Sequence, residues 1–419
     1  MTSSHAASHA VISGASIAGL SAAHWLRRIG WEVTLLERAP AFRDGGQNVD
    51  VRGVAREVLD RMGLFDAVKA LNTTETGTVL VDGRGGTIAE LPSNGPDGAT
   101  AELEVLRGDF ARAILDHLPP GVEIVYGDTV ADVDEHDERD EHDERDEHGG
   151  AITVTTASGR VLHADLLVVA EGVRSATRDR LFGGTVNRRD LGINMVFGTI
   201  PRTPGDDDRW RWYNTVGGRQ VHLRPDNHGT TRAILAHAHD EDFSALDHDE
   251  ALARIRACYA GAGWEAPRVL DGFDTSEDVY VDRLTQIRMR TWHRGRVCLV
   301  GDAAWCVTPM GGGGASLALT GGYVLAAHLS TAGSAGPAGP AGLEAALAAY
   351  EGWMRPLVDS VQKLPPGLTH MAYPRTRPAL ALRNLVSKAL VSAPLAPLTA
   401  KLTQVADTDR SLPRMTVPA

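Results

Sequence analysis

The stretch His9-Ala10-Val11-Ile12-Ser13-Gly14-Ala15-Ser16-Ile17-Ala18-Gly19-Leu20 decides how this chain reads. Residues 10–13 are a short apolar run closed by glycine. From residue 19 to residue 29, Leu20, Ala23 and Leu26 recur at helical spacing. Residues 31–36 are a second β-like run, ending in charge at Glu37 and Arg38. Strand, helix and strand in that order form a βαβ unit, the entry to a doubly wound sheet.

The turn inside this unit carries chemistry. The pattern Gly14-Ala15-Ser16-Ile17-Ala18-Gly19 follows the G-x-G-x-x-G fingerprint, with Ser16 at the middle glycine. Gly14 permits the tight strand-to-helix turn, and Gly19 lets helix and strand pack closely. Backbone N–H groups at a helix N-terminus then face a pyrophosphate. Glu37 ends the second strand, where a carboxylate can accept hydrogen bonds from ribose hydroxyls. The fingerprint alone is weak; turn, helix and acidic strand end together predict a dinucleotide site rather than an ordinary βαβ turn.

A second signature lies far along the chain. The apolar run 297–301 ends in Gly301-Asp302-Ala303-Ala304, followed by Pro309, a glycine run at 311–314 and a helical stretch from Ala315. Asp302 can hydrogen-bond a polyol. Gly312, Gly313, Gly314, Ala315 and Ser316 would bring amides to an anionic ligand. The structural alternative for Asp302 is a helix N-cap.

Bulk properties narrow the class. The chain has 419 residues and a formal net charge of -12, of which residues 134–148 carry ten acids and two arginines. That segment repeats Asp-Glu-His-Asp-Glu-Arg and reads as a mobile, solvated hairpin extension. The remainder is only mildly acidic, which argues against nucleic-acid binding. Cys258, Cys298 and Cys306 are odd in number and match no zinc spacing, so free thiols and no metal are expected. No signal peptide and no transmembrane run is read, so a cytoplasmic protein is expected.

Residues 185–290 are β-rich, with turns at Gly217-Gly218 and Asn227-His228-Gly229, and they interrupt elements that read as α/β on both sides. The expected organisation is a cofactor domain in two parts, 1–184 and 291–365, an inserted sheet domain at 185–290, and a helical segment at 366–419.

Three pieces together resemble the class A flavoprotein monooxygenases of the para-hydroxybenzoate hydroxylase-like fold: the turn at 14–19, the stretch 164–178, and Gly301-Asp302-Ala303-Ala304 with its glycines. The resemblance covers roughly residues 8–330 and looks closest to the tetracycline-inactivating and polyketide aromatic hydroxylases. It implies an α/β FAD-binding Rossmann-like domain with an inserted β-sheet substrate domain and C-terminal helices. Leu106-Arg107-Gly108-Asp109-Phe110 resembles the family's Leu-Arg-x-Asp-Leu segment, whose arginine contacts the flavin cofactor, which falls on Arg107. The segment from Phe42-Arg43 to Asp50 resembles the one passing along FAD, which makes Arg43 and Asp50 candidates. Arg174 and Ser175 match the family. Glu171 stands where the family has Asp, an extra methylene that would shift pyrophosphate or NADPH contacts. Trp305 stands where histidine is common, a ring expected at the flavin edge.

The function so implied is an NAD(P)H- and O₂-dependent hydroxylation of an aromatic or polyketide-type small molecule through a flavin C4a-hydroperoxide. FAD stays bound; NADPH or NADH visits. Pro309 and Gly312 would lie near the isoalloxazine, with no acid–base dyad required. Met195, Trp210, Trp212 and Tyr213 could line the substrate wall; the alternative is that they pack the sheet's core. His222 and His237 sit in alternating strands and could be polar contacts; the alternative is that, like most lone strand histidines, they are structural or exposed. The competing class is an FAD-dependent dehydrogenase or reductase without oxygen insertion. A monomer or homodimer is expected.

Overall fold

The computed structural model describes residues 7–73, 75–92, 103–135, 152–332, 340–390 and 410–417. All of the acidic repeat except Asp134 and Glu135 lies outside the described residues.

The first sheet has six strands in the order His293–Arg294, Val297–Leu299, Leu166–Val169, His9–Ser13, Glu32–Glu37, Val122–Tyr126. All pairings are parallel except that of the edge strand His293–Arg294. The three central strands are continuous apolar runs because helices cover both faces. Ser13, Val169 and Leu299 lie in register, so three strands end side by side. In an open parallel sheet, ligands bind beyond these carboxyl ends.

The helices Ile17–Arg28 and Gly314–Ala332 pack tightly beside that edge. A Cβ on Gly322 would fall 2.5 Å from the Ala22 nitrogen, so only glycine permits this approach. The Ser21 hydroxyl donates to the Leu319 carbonyl at 2.7 Å, locking the pair.

The second sheet has seven strands in the order Tyr280–Arg288, Asn187–Pro201, Thr230–Ala238, Arg219–Pro225, Trp210–Thr215, Gly77–Val81, Thr87–Pro92. Both expected hairpin turns are present. Its outer face buries Val196, Tyr213, Val221 and Leu235 beneath the helices His248–Tyr259 and Ala266–Phe273. Its inner face buries Ile193, Met195, Phe197 and Ile234 with Met310 of the glycine loop and Tyr373 of the C-terminal segment. Met195 and Met310 therefore bring the sheet face and the glycine loop together.

One boundary read from sequence is corrected. Strands Gly77–Val81 and Thr87–Pro92 fall inside the first expected part of the cofactor domain, yet they complete the inserted sheet. Gly77–Val81 pairs in parallel with Trp210–Thr215, a partner too distant in sequence for local patterning to reveal.

Candidate active site

Where the three central strands end, three turns press on one another. A Cβ on Gly14 (φ 108°) would stand 2.5 Å from the Ala170 carbonyl oxygen. One on Gly19 would stand 1.8 Å from the Gly14 oxygen, and one on Gly301 2.6 Å from the Ala18 Cβ. Ser16 caps the helix Ile17–Arg28 by position, but its exposed hydroxyl makes no capping bond, and the first turn holds no acid. The first intrahelical bond runs from the Leu20 amide to the Ser16 carbonyl, leaving the amides of Ile17, Ala18 and Gly19 without intrahelical acceptors. Uncompensated amides and a glycine cradle suit a phosphate.

Glu37 stands beside this turn. Its carboxylate accepts from the Ala15 amide at 2.9 Å and the Ala39 amide at 2.8 Å. Each oxygen keeps a further lone pair for ribose hydroxyls. Arg38, Arg43 and Arg107 are exposed around the crevice. Gly108 allows the segment carrying Arg43 to cross the helix Arg107–Asp116, because a Cβ there would lie 1.6 Å from the Asp44 oxygen.

Asp302 opens the helix Asp302–Trp305 and keeps accessible surface. Burial first, then the negative charge of Asp282, push its carboxyl up to about 6, against the opposing pull of Arg107. Asp50 is drawn away from a direct ligand role, since its carboxylate pairs with Arg52 at 3.0 Å. The Ser316 hydroxyl is likewise used internally, donating to the Asp50 carbonyl at 3.0 Å and accepting from the Arg52 amide at 2.9 Å. These two residues fix the wall of the crevice.

Across the cleft, the inner sheet face carries an aromatic stack. The Trp210 and Trp212 rings lie 5.3 Å apart and nearly parallel, and His222 lies 4.7 Å from Trp212. Both indoles are half-buried. The Arg224 guanidinium sits 4.2 Å over Trp210, and that of Arg383 5.5 Å from the centre of Trp212. A directed hydrogen-bond chain holds the stack. The Trp210 Nε1–H donates to His222 Nδ1 at 3.0 Å, which requires His222 Nε2–H to donate to Gln220 Oε1, also at 3.0 Å. Gln220 Nε2 and Asn214 Nδ2 both donate to the Ala372 carbonyl at 2.8 Å. Burial and the nearby arginines pull His222 down to about 3, so it stays neutral and serves as a spacer. Arg224 itself is clamped by Glu75 at 2.9 Å and by Glu104.

The amides, the glycine cradle and the ring of arginines fit a flavin adenine dinucleotide, and the comparisons agree. Residues 7–351 match the model of the FAD binding domain family. The chain belongs to the class A FAD-dependent monooxygenases. It is 34% identical over 371 residues to the flavin-dependent monooxygenase eupH of Phoma sp, covering 84% of this chain and 84% of that one. It is 33% identical over 328 residues to an uncharacterised protein of Mycobacterium tuberculosis, covering 77% of this chain and 85% of that one. Among solved structures, tetracycline destructase Tet(51) superposes with a TM-score of 0.73 at 26% identity, covering 92% of this chain and 98% of that one. Among the described residues, no helix is long and apolar enough to cross a membrane.

Three expectations for this monooxygenase change with the structure. Tyr213 does not share the aromatic wall: side chains alternate along a strand, and Tyr213 points into the outer-face core while Trp210 and Trp212 point inward. Trp305 is 1% exposed and packs against Trp292 at 4.6 Å, inside the helical core rather than at the cleft. Glu171 accepts bonds from the hydroxyls of Ser13, Ser175 and Thr177 at 2.6, 2.7 and 2.6 Å and from the Thr177 amide at 3.1 Å. Its extra methylene thus ties the strand end to the next helix instead of reaching toward a ligand.

His237 is buried among Phe243 and Tyr259. Arg174 lies 3.9 Å from Asp282, which also influences Asp302. Sequence reasoning missed Thr308, a β-branched residue held at φ 66° immediately before Pro309. Both features disfavour that conformation, which costs about 1–3 kcal/mol and marks the glycine loop as a shaped site. The signal was the Thr-Pro pair ahead of four glycines.

Proposed function

We propose that this monooxygenase uses NAD(P)H and O₂ to hydroxylate an electron-rich aromatic or polyketide-type small molecule on the inner face of the seven-stranded sheet. The observation that carries the reading is the half-buried Trp210–Trp212 stack, on the same inner sheet face that buries Met195 with Met310 of the glycine loop. Flat aromatic ligands stack on indole faces. The Trp212 Nε1–H is buried and has no hydrogen-bond partner, which leaves a donor for a ligand oxygen.

Gly14, Ala15, Ser16, Ile17, Ala18 and Gly19 would hold the pyrophosphate, Glu37 the ribose, and Asp302 the polyol chain. Arg38, Arg43 and Arg107 would balance the phosphate charge. Pro309 and Gly312, Gly313, Gly314 and Ala315 would border the ring system. Bound FAD would accept electrons from NAD(P)H and activate O₂, chemistry that these side chains do not supply. The protein's part is to orient the substrate and exclude water. Neutral His222 does not exchange protons near neutral pH; it fixes Trp210 instead.

The test is NADPH and NADH oxidation by the FAD-loaded protein, with and without phenols, naphthoquinones, anthracyclines and tetracyclines. The expected result is that one class raises the rate well above background, consumes oxygen and yields a hydroxylated product. If neither nicotinamide reduces the flavin with any ligand, the reading falls.

A further inference from the structure

Five of the described arginines have no more than 9% of their surface exposed: Arg178, Arg224, Arg232, Arg283 and Arg383. Four have carboxylate partners. Arg178 pairs with Asp179, Arg224 with Glu75 and Glu104, Arg232 with Asp226 and Asp278, and Arg283 with Asp190. Arg383 has none among the described residues. Among the described residues its hydrogen bond is a 3.4 Å contact to Asn384 of its own helix.

The helix that carries it, Arg377–Leu390, has inverted patterning. Arg383 is 9% exposed, while its neighbours Leu382 and Leu385 are 62% and 65% exposed. No other residue described in this helix is buried. A helix that docks through its arginine and turns leucines outward breaks the pattern that stability alone would select. The helix is held in place from its N-terminal side. The amides of Gly217 and Gly218 donate to the carbonyls of Arg375 and Pro374, each at 3.0 Å, and Ala372 receives the bonds from Gln220 and Asn214. Arg383 is thereby brought over Trp212.

The two ends of the aromatic stack differ in charge. At the Trp210 end, one guanidinium faces the carboxyl groups of Glu75 and Glu104. At the Trp212 end, the Arg383 guanidinium and the unpartnered Trp212 N–H are both donors, and among the described residues no carboxylate pairs with either. Burial alone, with no acidic neighbour contributing, pulls Arg383 down to about 10, still charged at neutral pH. A buried cation without a counter-ion is costly unless a ligand supplies one.

We infer that Arg383 is a substrate-recognition residue that binds an anionic oxygen of the substrate, an ionised enol or phenol or a carboxylate, on a flat ring laid against Trp212. This inference rests on the reading of the sheet face as the substrate wall. It adds the substrate's charge and the residue that selects it. A guanidinium and an indole N–H together match such an oxygen, because ionised acceptors form the stronger bonds.

The experiment uses the FAD-loaded, full-length protein and equilibrium binding read from flavin absorbance and tryptophan fluorescence, so no turnover is needed. The probes are two pairs. One is 2-hydroxy-1,4-naphthoquinone, ionised at neutral pH, and its neutral 2-methoxy ether. The other is 2-naphthoic acid and 2-naphthamide. The first pair reports an enolate and the second a carboxylate. We expect at least one anion to bind about tenfold or more tightly than its neutral partner, the scale of one charge-assisted hydrogen bond. That preference should vanish in Arg383→Met and partly return in Arg383→Lys. Arg383→Met should also raise the thermal midpoint, since it removes an uncompensated buried charge, and should retain its FAD. The inference is overturned if the wild-type protein shows no anion preference in either pair, whether by equal binding or by none. It is overturned equally if the preference survives in Arg383→Met, or if that variant loses thermal stability while preference is unchanged, which would make the arginine structural. Failure of the sheet-face reading shows separately, as unaltered binding of all four probes in Trp212→Leu.

Discussion

In the cofactor crevice, Gly14, Gly19 and Gly301 leave no room for side chains, and the groups presented to a ligand are mostly backbone amides. On the sheet face opposite, the groups presented are side chains: two indoles, a neutral imidazole and two guanidiniums. The first region is specified by what must be absent, the second by what must be aligned. The crevice should therefore tolerate almost no substitution at its turn, whereas the sheet face should respond in proportion to the charge or ring removed.

The largest effect is expected at Gly19. An alanine Cβ would lie 1.8 Å from the Gly14 oxygen, a backbone atom that cannot swing aside. Gly19→Ala should lose bound flavin and cost about 3 kcal/mol or more, the upper range for overpacking. Gly45→Ala, in the nearby segment that crosses the crevice, meets nothing within 4 Å and should retain both. The flavin-to-protein absorbance ratio after desalting, with urea denaturation, measures the difference. Equal flavin retention in the two variants would falsify the claim that the cradle is sterically closed.

The same division explains what could be read from sequence. The first sheet's central strands are apolar runs, and the turn between them needs glycine at fixed spacing, so Gly14, Gly19, Gly301 and Asp302 were legible before any coordinates. Glu37 was legible because it ends a strand. The sheet face was harder. Period-two alternation separates Tyr213 from Trp210 and Trp212, but which face looks at the cleft depends on packing with distant helices. Gly77–Val81 joins that sheet through a pairing with Trp210–Thr215 that no local window contains. Arg383 stayed hidden for a related reason: its helix reads as a packed helix interrupted by Arg383, and only tertiary placement shows that the arginine is what it buries. Glu171 could be seen as a departure from the family, yet its four donors belong to Ser13, Ser175 and Thr177, and only the fold brings them to one carboxylate.

On the sheet face, the next effect centres on Arg224. Removing it strands Glu75 and Glu104, both nearly inaccessible, at the Trp210 end of the stack. Breaking a buried pair from one side typically costs about 3–5 kcal/mol. Arg224→Met should show a loss of that size in urea denaturation. Glu104→Gln should be close to neutral, because one carboxylate remains for the guanidinium. A loss below about 1 kcal/mol in Arg224→Met would mean that these carboxylates are solvated, and the contrast with the paired and unpaired arginines would weaken.

The smallest effect is a dependence on pH, and it follows from the same excess of acid over base. Burial, together with the charges of Glu75 and Asp50, outweighs the attraction of Arg224 and raises Glu104 from 4.5 to about 8. Between those two values the folded chain keeps a proton that the unfolded chain has released. Glu104 therefore supports stability fully below about 4.5, and this contribution declines as pH rises toward 8 and is flat above it. One proton limits the slope to about 1.4 kcal/mol per pH unit. Because Asp302 is also raised, to about 6, the wild-type curve contains both groups, and the informative quantity is its difference from Glu104→Gln. That variant should lose stability less steeply between pH 6 and pH 8 by up to this limit, in denaturation curves taken at matched ionic strength. Asp302 titrates in both proteins and cancels; Glu75, also raised by burial and joined to Glu104 through Arg224, shifts with it, so the difference reports the pair. If the two curves run parallel across the interval, Glu104 is already ionised there, Arg224 alone suffices to hold two carboxylates, and the stack is anchored by a fully charged cluster rather than one that keeps a proton.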